Sequence, residues 1–139
     1  MAAHVLDNAY ILLNAVELSS YIVSLSVRAN HEEIDLTAMG DDAMTRIAGL
    51  DDWEIEVTYH QDFASSKVDA TVYGVWNGKV GVVVIVKAEN AAVGPTNPTW
   101  TGTGQIFDYE PISGSIGQAH DVTVVIKASA GTALVRATS

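Results

Sequence analysis

The sequence has no cysteine, which removes disulfides, thiolate metal sites and cysteine nucleophiles at once. Cations are scarce: seven Lys and Arg stand against seventeen Asp and Glu, a formal net charge of -10. The resulting field is negative, so chemistry that grips phosphate starts at a disadvantage and a nucleic-acid-binding role is disfavoured. Long apolar runs are missing too. The longest, Val80 to Val86, is far shorter than the roughly 20 residues that cross a bilayer. The opening Met-Ala-Ala-His-Val-Leu-Asp lacks the basic and apolar regions of a secretory signal. These absences point to a soluble product made inside the cell, without a membrane partner.

Catalytic and metal-binding patterns are equally sparse. His4, His31, His60 and His120 are scattered, with no pair at ligand spacing. Gly102-Thr-Gly104 begins like a dinucleotide fingerprint, but Phe107 stands where the third glycine belongs, so a strand carrying small residues is the better reading. Ser113-Gly114-Ser115-Ile116-Gly117 has Ser113 in place of the first glycine of a nucleophile elbow and no α/β context. Asp41-Asp42 and Asp51-Asp52 do not match a calcium-loop spacing. The expectation is a protein that is not an enzyme and needs no cofactor or metal.

What is present is β pattern. A chain of 139 residues makes one ordinary domain with a core of its own. Val23, Leu25, Val27 and Ala29 alternate with polar residues, and so do Trp53, Ile55, Val57 and Tyr59; each set reads as a half-buried strand. Between them lies a connection over about residues 36–52, much longer than a hairpin turn and carrying Met39, Met44, Ile47 and Leu50. Short strands are expected at Tyr10–Leu13 and Val16–Leu18. Further strands are expected at about 79–88, apolar on both faces and so covered on both, at Thr99–Tyr109, at Ala119–Ala128 and at Thr132–Ala137. Asp62 to Gly78 is open. Val68, Val72, Val75 and Trp76 make a helical stripe, capped by Asp62 or Ser65 and closed by Asn77-Gly78, whereas period two makes the same segment a hairpin with Asn77-Gly78 as its turn.

The acid is uneven. Glu32, Glu33, Asp35, Asp41, Asp42, Asp51, Asp52, Glu54, Glu56 and Asp62 are ten of the seventeen carboxylates, and Arg46 is the only Lys or Arg among them. On residues alone this is a solvated loop and strand face.

The order of elements, with Thr37-Ala38-Met39-Gly40-Asp41, then Gly49-Leu50-x-Asp52-Trp53 leading into an alternating strand, then Asp62-Phe-Ala-Ser-Ser-Lys-Val-Asp-Ala, resembles the major tail tube protein of long-tailed bacteriophages. The resemblance implies one domain over 1–139: an antiparallel β-sandwich or barrel with one flanking α-helix at about residues 64–77 and a long loop at about 36–52. It also implies a structural virion protein, made in the host cytoplasm. Copies form hexameric rings that stack into the tail tube with other tail proteins, and DNA passes through without specific binding. Thr37, Met39, Gly40, Asp41, Asp42, Met44, Arg46 and Ile47 become candidates for contact with a neighbouring subunit or ring. Glu54 and Glu56 become candidates for a channel wall that repels phosphate, with Arg28 either pairing across strands or mixing the charge. A capsid decoration or neck protein, and a carbohydrate- or calcium-binding β-sandwich using Trp53, Trp76 and Trp100, remain as alternatives.

Overall fold

The computed structural model describes residues 5–129, 131 and 133–139; His4 and Thr132 lie outside them. Strand β1 (Tyr10–Leu13) turns through Asn14 and Ala15 into β2 (Val16–Glu17). Both turn residues have positive φ, at 50° and 64°, the conformation that a two-residue type I′ hairpin demands. A 3-10 turn at Ser19–Tyr21 leads to β3 (Ile22–Asp35), followed by β4 (Arg46–His60), the helix α1 (Val68–Gly78), β5 (Val82–Lys87), β6 (Thr99–Tyr109), β7 (Asp121–Ala128) and β8 (Val135–Ala137).

The strands form one antiparallel sheet in the order β2-β1-β5-β6-β7-β4-β3, with β8 beside β6. Strand β6 holds the two halves together. Its first half, Thr99–Gly104, pairs with β5, and its second half, Gly104–Tyr109, pairs with β7. The sheet does not close on itself.

One face of this sheet makes the core. Ile11, Leu13, Trp53, Ile55, Val57, Val82, Val84, Ile126 and their neighbours are at most a few per cent exposed. Helix α1 lays Val68, Val72 and Val75 onto them, each such side chain contributing about 1.5–3 kcal/mol on burial. This burial decides the question left open at Asp62–Gly78. The β-branched residues suit a strand locally, but three valines at helical spacing are buried in the core when the segment is helical, and the helix forms. It starts later than the expected residue 64, at Val68, because Asp62 organises the turn ahead of it: its carboxylate accepts from the Ala64 N–H at 2.9 Å, and its carbonyl accepts from the Asp69 N–H at 3.1 Å. Lys67, not Asp62 or Ser65, is the N-cap, and Lys79 closes the other end in the left-handed region at φ 55°. Trp76 leaves the buried stripe and is 40% exposed.

Three further expectations are corrected. Strand β5 is covered on one face only, since Val83 is half exposed; the single core and single helix leave its other side to solvent. The long connection ends at residue 45, because 46–52 continue β4 and pair with β3 from Asp35↔Arg46 upward. That stretch has no period-two pattern because it is exposed on both faces. Finally, β7 starts at Asp121 and β8 at Val135, later than expected.

Gly102 and Gly104 owe their identity to Trp53. A Cβ on Gly102 would lie 2.5 Å from Trp53 Cζ2, and one on Gly104 would lie 2.5 Å from the Lys127 carbonyl oxygen and 2.9 Å from Trp53 Cη2. The indole lies across β6, and only glycine gives it room.

Two substitutions test the core. Gly104→Ala should cost about 1–3 kcal/mol by overpacking, read as a lower thermal midpoint. Tyr59 is 1% exposed and its buried hydroxyl has no hydrogen-bond partner among the described residues, so Tyr59→Phe should raise stability by about 1 kcal/mol in a denaturant titration.

Candidate assembly surface

Strands β3 and β4 outrun the sheet. β4 pairs with β7 only from Glu54 to His60, while its pairing with β3 continues to Asp35↔Arg46. Residues 29–52 therefore form a two-stranded arm, exposed on nearly every side chain. A ribbon of two strands is marginal in water by itself, and this one is held by local bonds. The Leu36 N–H donates to the Thr45 carbonyl at 2.8 Å, the Thr45 N–H donates to Thr37 Oγ1 at 2.8 Å, and the Thr37 N–H donates to Asp35 Oδ1 at 2.9 Å. The last contact, with the Thr37 hydroxyl, holds the Asp35 carboxyl below its ordinary value. Across the ribbon Arg46 Nε meets Glu33 Oε1 at 2.6 Å and His31 Nδ1 meets Asp51 Oδ1 at 2.5 Å.

The candidate residues divide accordingly. Thr37, Met39, Gly40, Asp41, Asp42 and Met44 lie on the loop at the arm's tip, whereas Arg46 and Ile47 lie on β4. Gly40 takes φ +97°, closed by the Ala38 N–H donating to Asp41 Oδ2 at 2.7 Å. Met39 is fully exposed, and Leu36, Met44, Ile47 and Leu50 are each half exposed or more. Five large apolar side chains thus share a slender arm with Glu32, Glu33, Asp35, Asp41, Asp42, Asp51 and Asp52, opposed by Arg46 alone among Lys and Arg.

The second candidate set lies on the sheet face opposite the core. Glu54 stands between Arg28 and Lys127, its direct partners on β3 and β7, and Gln105 continues the row. Glu56 stands between Ser26 and Val125. Thr58 and Thr123 meet at 3.2 Å, and His60 Nδ1 lies 2.7 Å from Asp121 Oδ1. The face is therefore hydroxyl-rich and mixed in charge. Lys127 was missed in the sequence because its place beside Glu54 depends on register, which no local pattern reveals. Seven of the seventeen carboxylates sit on the arm.

One hydrogen bond ties the 3-10 turn to the segment ahead of α1, and a second ties α1 to β6. The Tyr21 hydroxyl donates to Asp62 Oδ2 at 2.9 Å, and the Tyr109 hydroxyl donates to Asp69 Oδ1 at 2.7 Å. Burial and the Asp69 contact push the Tyr109 hydroxyl up to about 12. The backbone N–H of Ala64 and the Tyr21 hydroxyl hold Asp62 low.

Among the described residues no three His, Asp or Glu side chains group as a metal site, and no helix is long and apolar enough to cross a membrane. Trp53 is buried, which removes it from any sugar-binding platform.

Neither a protein-family model nor a curated protein sequence matches the chain. Solved structures do. A chain from the virion of a native gene transfer agent particle superposes with a TM-score of 0.77 at 13% identity, covering 97% of this chain and 99% of that one. The SPP1 tail tube subunit matches with a TM-score of 0.72 at 10% identity, over 95% of this chain and 77% of that one. This is the tail-tube fold. A further match, to the tail of an empty gene transfer agent particle with C6 symmetry, has a TM-score of 0.68 at 13% identity over 84% and 82% of the two chains. At such low identity the fold is shared with little of the sequence in common.

The arm gives a pH prediction. Because Asp35 is held low in the folded chain, the loop closure it supports is present above the ordinary carboxyl value of 3.8 and is lost as pH falls through the lowered one. The Thr37 amide resonance should therefore titrate with a midpoint below 3.8, and Asp35→Asn should abolish that titration.

Proposed function

We propose that this protein is the structural subunit of a phage-type tail tube, with no catalytic role. The observation that carries the reading is the likeness of fold over nearly the full length of both chains to a virion component and to a tail tube subunit. Copies close into six-membered rings, as the sixfold symmetry of one matched tail suggests, and the rings stack into a hollow tube in the virion tail. Its partners are further copies of itself and the other tail proteins, and the subunit is made in the cytoplasm of the bacterial host.

Two features of the chain support the assembly. The arm carries Met39, Met44 and Ile47 with nothing among the described residues to cover them, and a neighbouring subunit or ring supplies the cover. The face bearing Glu54, Glu56 and Arg28 turns to the channel. Carboxylates there repel a passing phosphate backbone, while Arg28 and Lys127 moderate that repulsion and hydroxyls solvate the wall, so DNA slides without being held.

The test is electron microscopy of the purified protein over a concentration series, together with its mass in solution. Hollow filaments of stacked rings are expected; a species that stays monomeric at every concentration refutes the reading. Since each copy brings a net charge of -10, assembly should be favoured by salt, with the critical concentration falling as ionic strength rises. Tubes built from a Glu54→Lys, Glu56→Lys variant should retain a fluorescent single-stranded oligonucleotide that wild-type tubes release.

A further inference from the structure

A histidine fastens the loop of residues 110–120 that joins β6 to β7. His120 sits at the end of this loop, half-buried, with its carbonyl accepting from the Gln61 N–H at 2.8 Å and its ring tilted against Phe63 at 5.8 Å between centroids. Two glycines in conformations that other residues rarely adopt, Gly114 at φ 135° and Gly117 at φ 89°, bend the chain back on itself. The bend brings the Ser113 N–H to His120 Nε2, at 3.1 Å. Gln61 Nε2 donates to the Pro111 carbonyl at 2.9 Å, and the Gln118 N–H donates to the Ser115 carbonyl at 3.1 Å. The first holds the start of the loop and the second is internal to it, so His120 makes the closing bond across the bend.

The direction of that bond fixes the proton. A backbone N–H can only donate, so Nε2 presents its lone pair and the neutral ring carries its hydrogen on Nδ1. A second proton turns Nε2 into a donor facing a donor. The Ser113 amide then loses its acceptor, and the closure it provides is present when the ring is neutral and lost as pH falls. Histidine side chains make this change between roughly pH 8 and 5. The response is opposite to that of His31 and His60, which face the carboxylates of Asp51 and Asp121; a carboxylate holds a protonated ring more strongly than a neutral one.

The titratable groups on the elements around His120 are engaged elsewhere or exposed. His60 on β4 and Asp121 on β7 pair with each other. Asp62, ahead of α1, accepts from the Ala64 N–H and the Tyr21 hydroxyl. Tyr109 on β6 donates to Asp69 on α1, and Glu110 and Lys67 are exposed.

Little else restrains the loop. Every residue from 110 to 119 is exposed, Ile112 and Ile116 almost wholly so, and no core contact holds them once the bond is lost. The loop stands where β4 ends, beside the pairing of His60 with Asp121, whereas the arm departs from the start of β4. Closure of the arm through Asp35 fails only below 3.8, so the two ends of the subunit answer to acid in separate ranges.

We propose that His120 is a pH-operated latch on the loop 110–119: neutral, it holds the loop closed through Ser113, and protonated, it releases it. The latch belongs to the single chain and is independent of the tube reading. It gives the end of the subunit remote from the arm a surface, bearing Ile112 and Ile116, whose shape changes with acidity.

Hydrogen exchange of the full chain tests this, read by mass on peptides covering residues 110–119 and corrected for the intrinsic effect of pH. Protection of the Ser113 amide should fall about tenfold or more between about pH 8 and 5, while peptides from β4 and β7 keep theirs. His120→Gln places an oxygen that accepts without titrating, so its protection should be the same at both ends of the range. His120→Phe keeps a ring against Phe63 but has no acceptor, and should show the low value throughout. Thermal melts of both variants confirm that they fold. Equal protection of the wild-type amide at both ends of the range overturns the latch, and so does a fall with acid that persists in either variant.

Discussion

A ribbon of two strands has no inside. That constraint governs the molecule, because β3 and β4 continue past the point where β7 and α1 can cover them. Within the sheet, Trp53, Ile55, Val57 and Tyr59 find a core; a few residues earlier on the same strand, Ile47 and Leu50 find only solvent. Apolar side chains without a lid gain free energy from any surface that removes them from water. The carboxylates of the arm oppose that gain between like copies, and salt weakens the opposition.

The core depends on one close approach. The Trp53 indole lies over the backbone of β6 where Gly102 and Gly104 leave it room, and it anchors the strand shared by both halves of the sheet. Helix α1 then closes this face with small β-branched side chains and is tied down by the Tyr109–Asp69 bond. Each part constrains the next: the indole sets the glycines, the glycines set the path of β6, and β6 sets where the helix rests.

Much of this was legible in the chain. The bounds of β6 and β1 follow from composition alone, and the alternation around Trp53 identifies the buried row of β4. The segment at Asp62–Gly78 was not decidable locally, because valine favours strand while its spacing favours helix; what decides it is a sheet face needing cover, a tertiary fact. The start of β4 at Arg46 was hidden for a related reason. Period two records a difference between two faces, and on the arm both faces are wet. The partners of Glu54 were equally out of reach, since Arg28 and Lys127 come to it through register. Likewise the spaced glycines of β6 were seen, but their cause sits on another strand.

The long shared strand has a mechanical consequence. β6 pairs with β5 along its first half and with β7 along its second, so a pull along the strands passes from one half of the sheet to the other through hydrogen bonds perpendicular to the load. Such bonds are strained together, in shear, and none can be peeled off first. A subunit built this way resists stretching most strongly along its strands, whatever the softness of its arm.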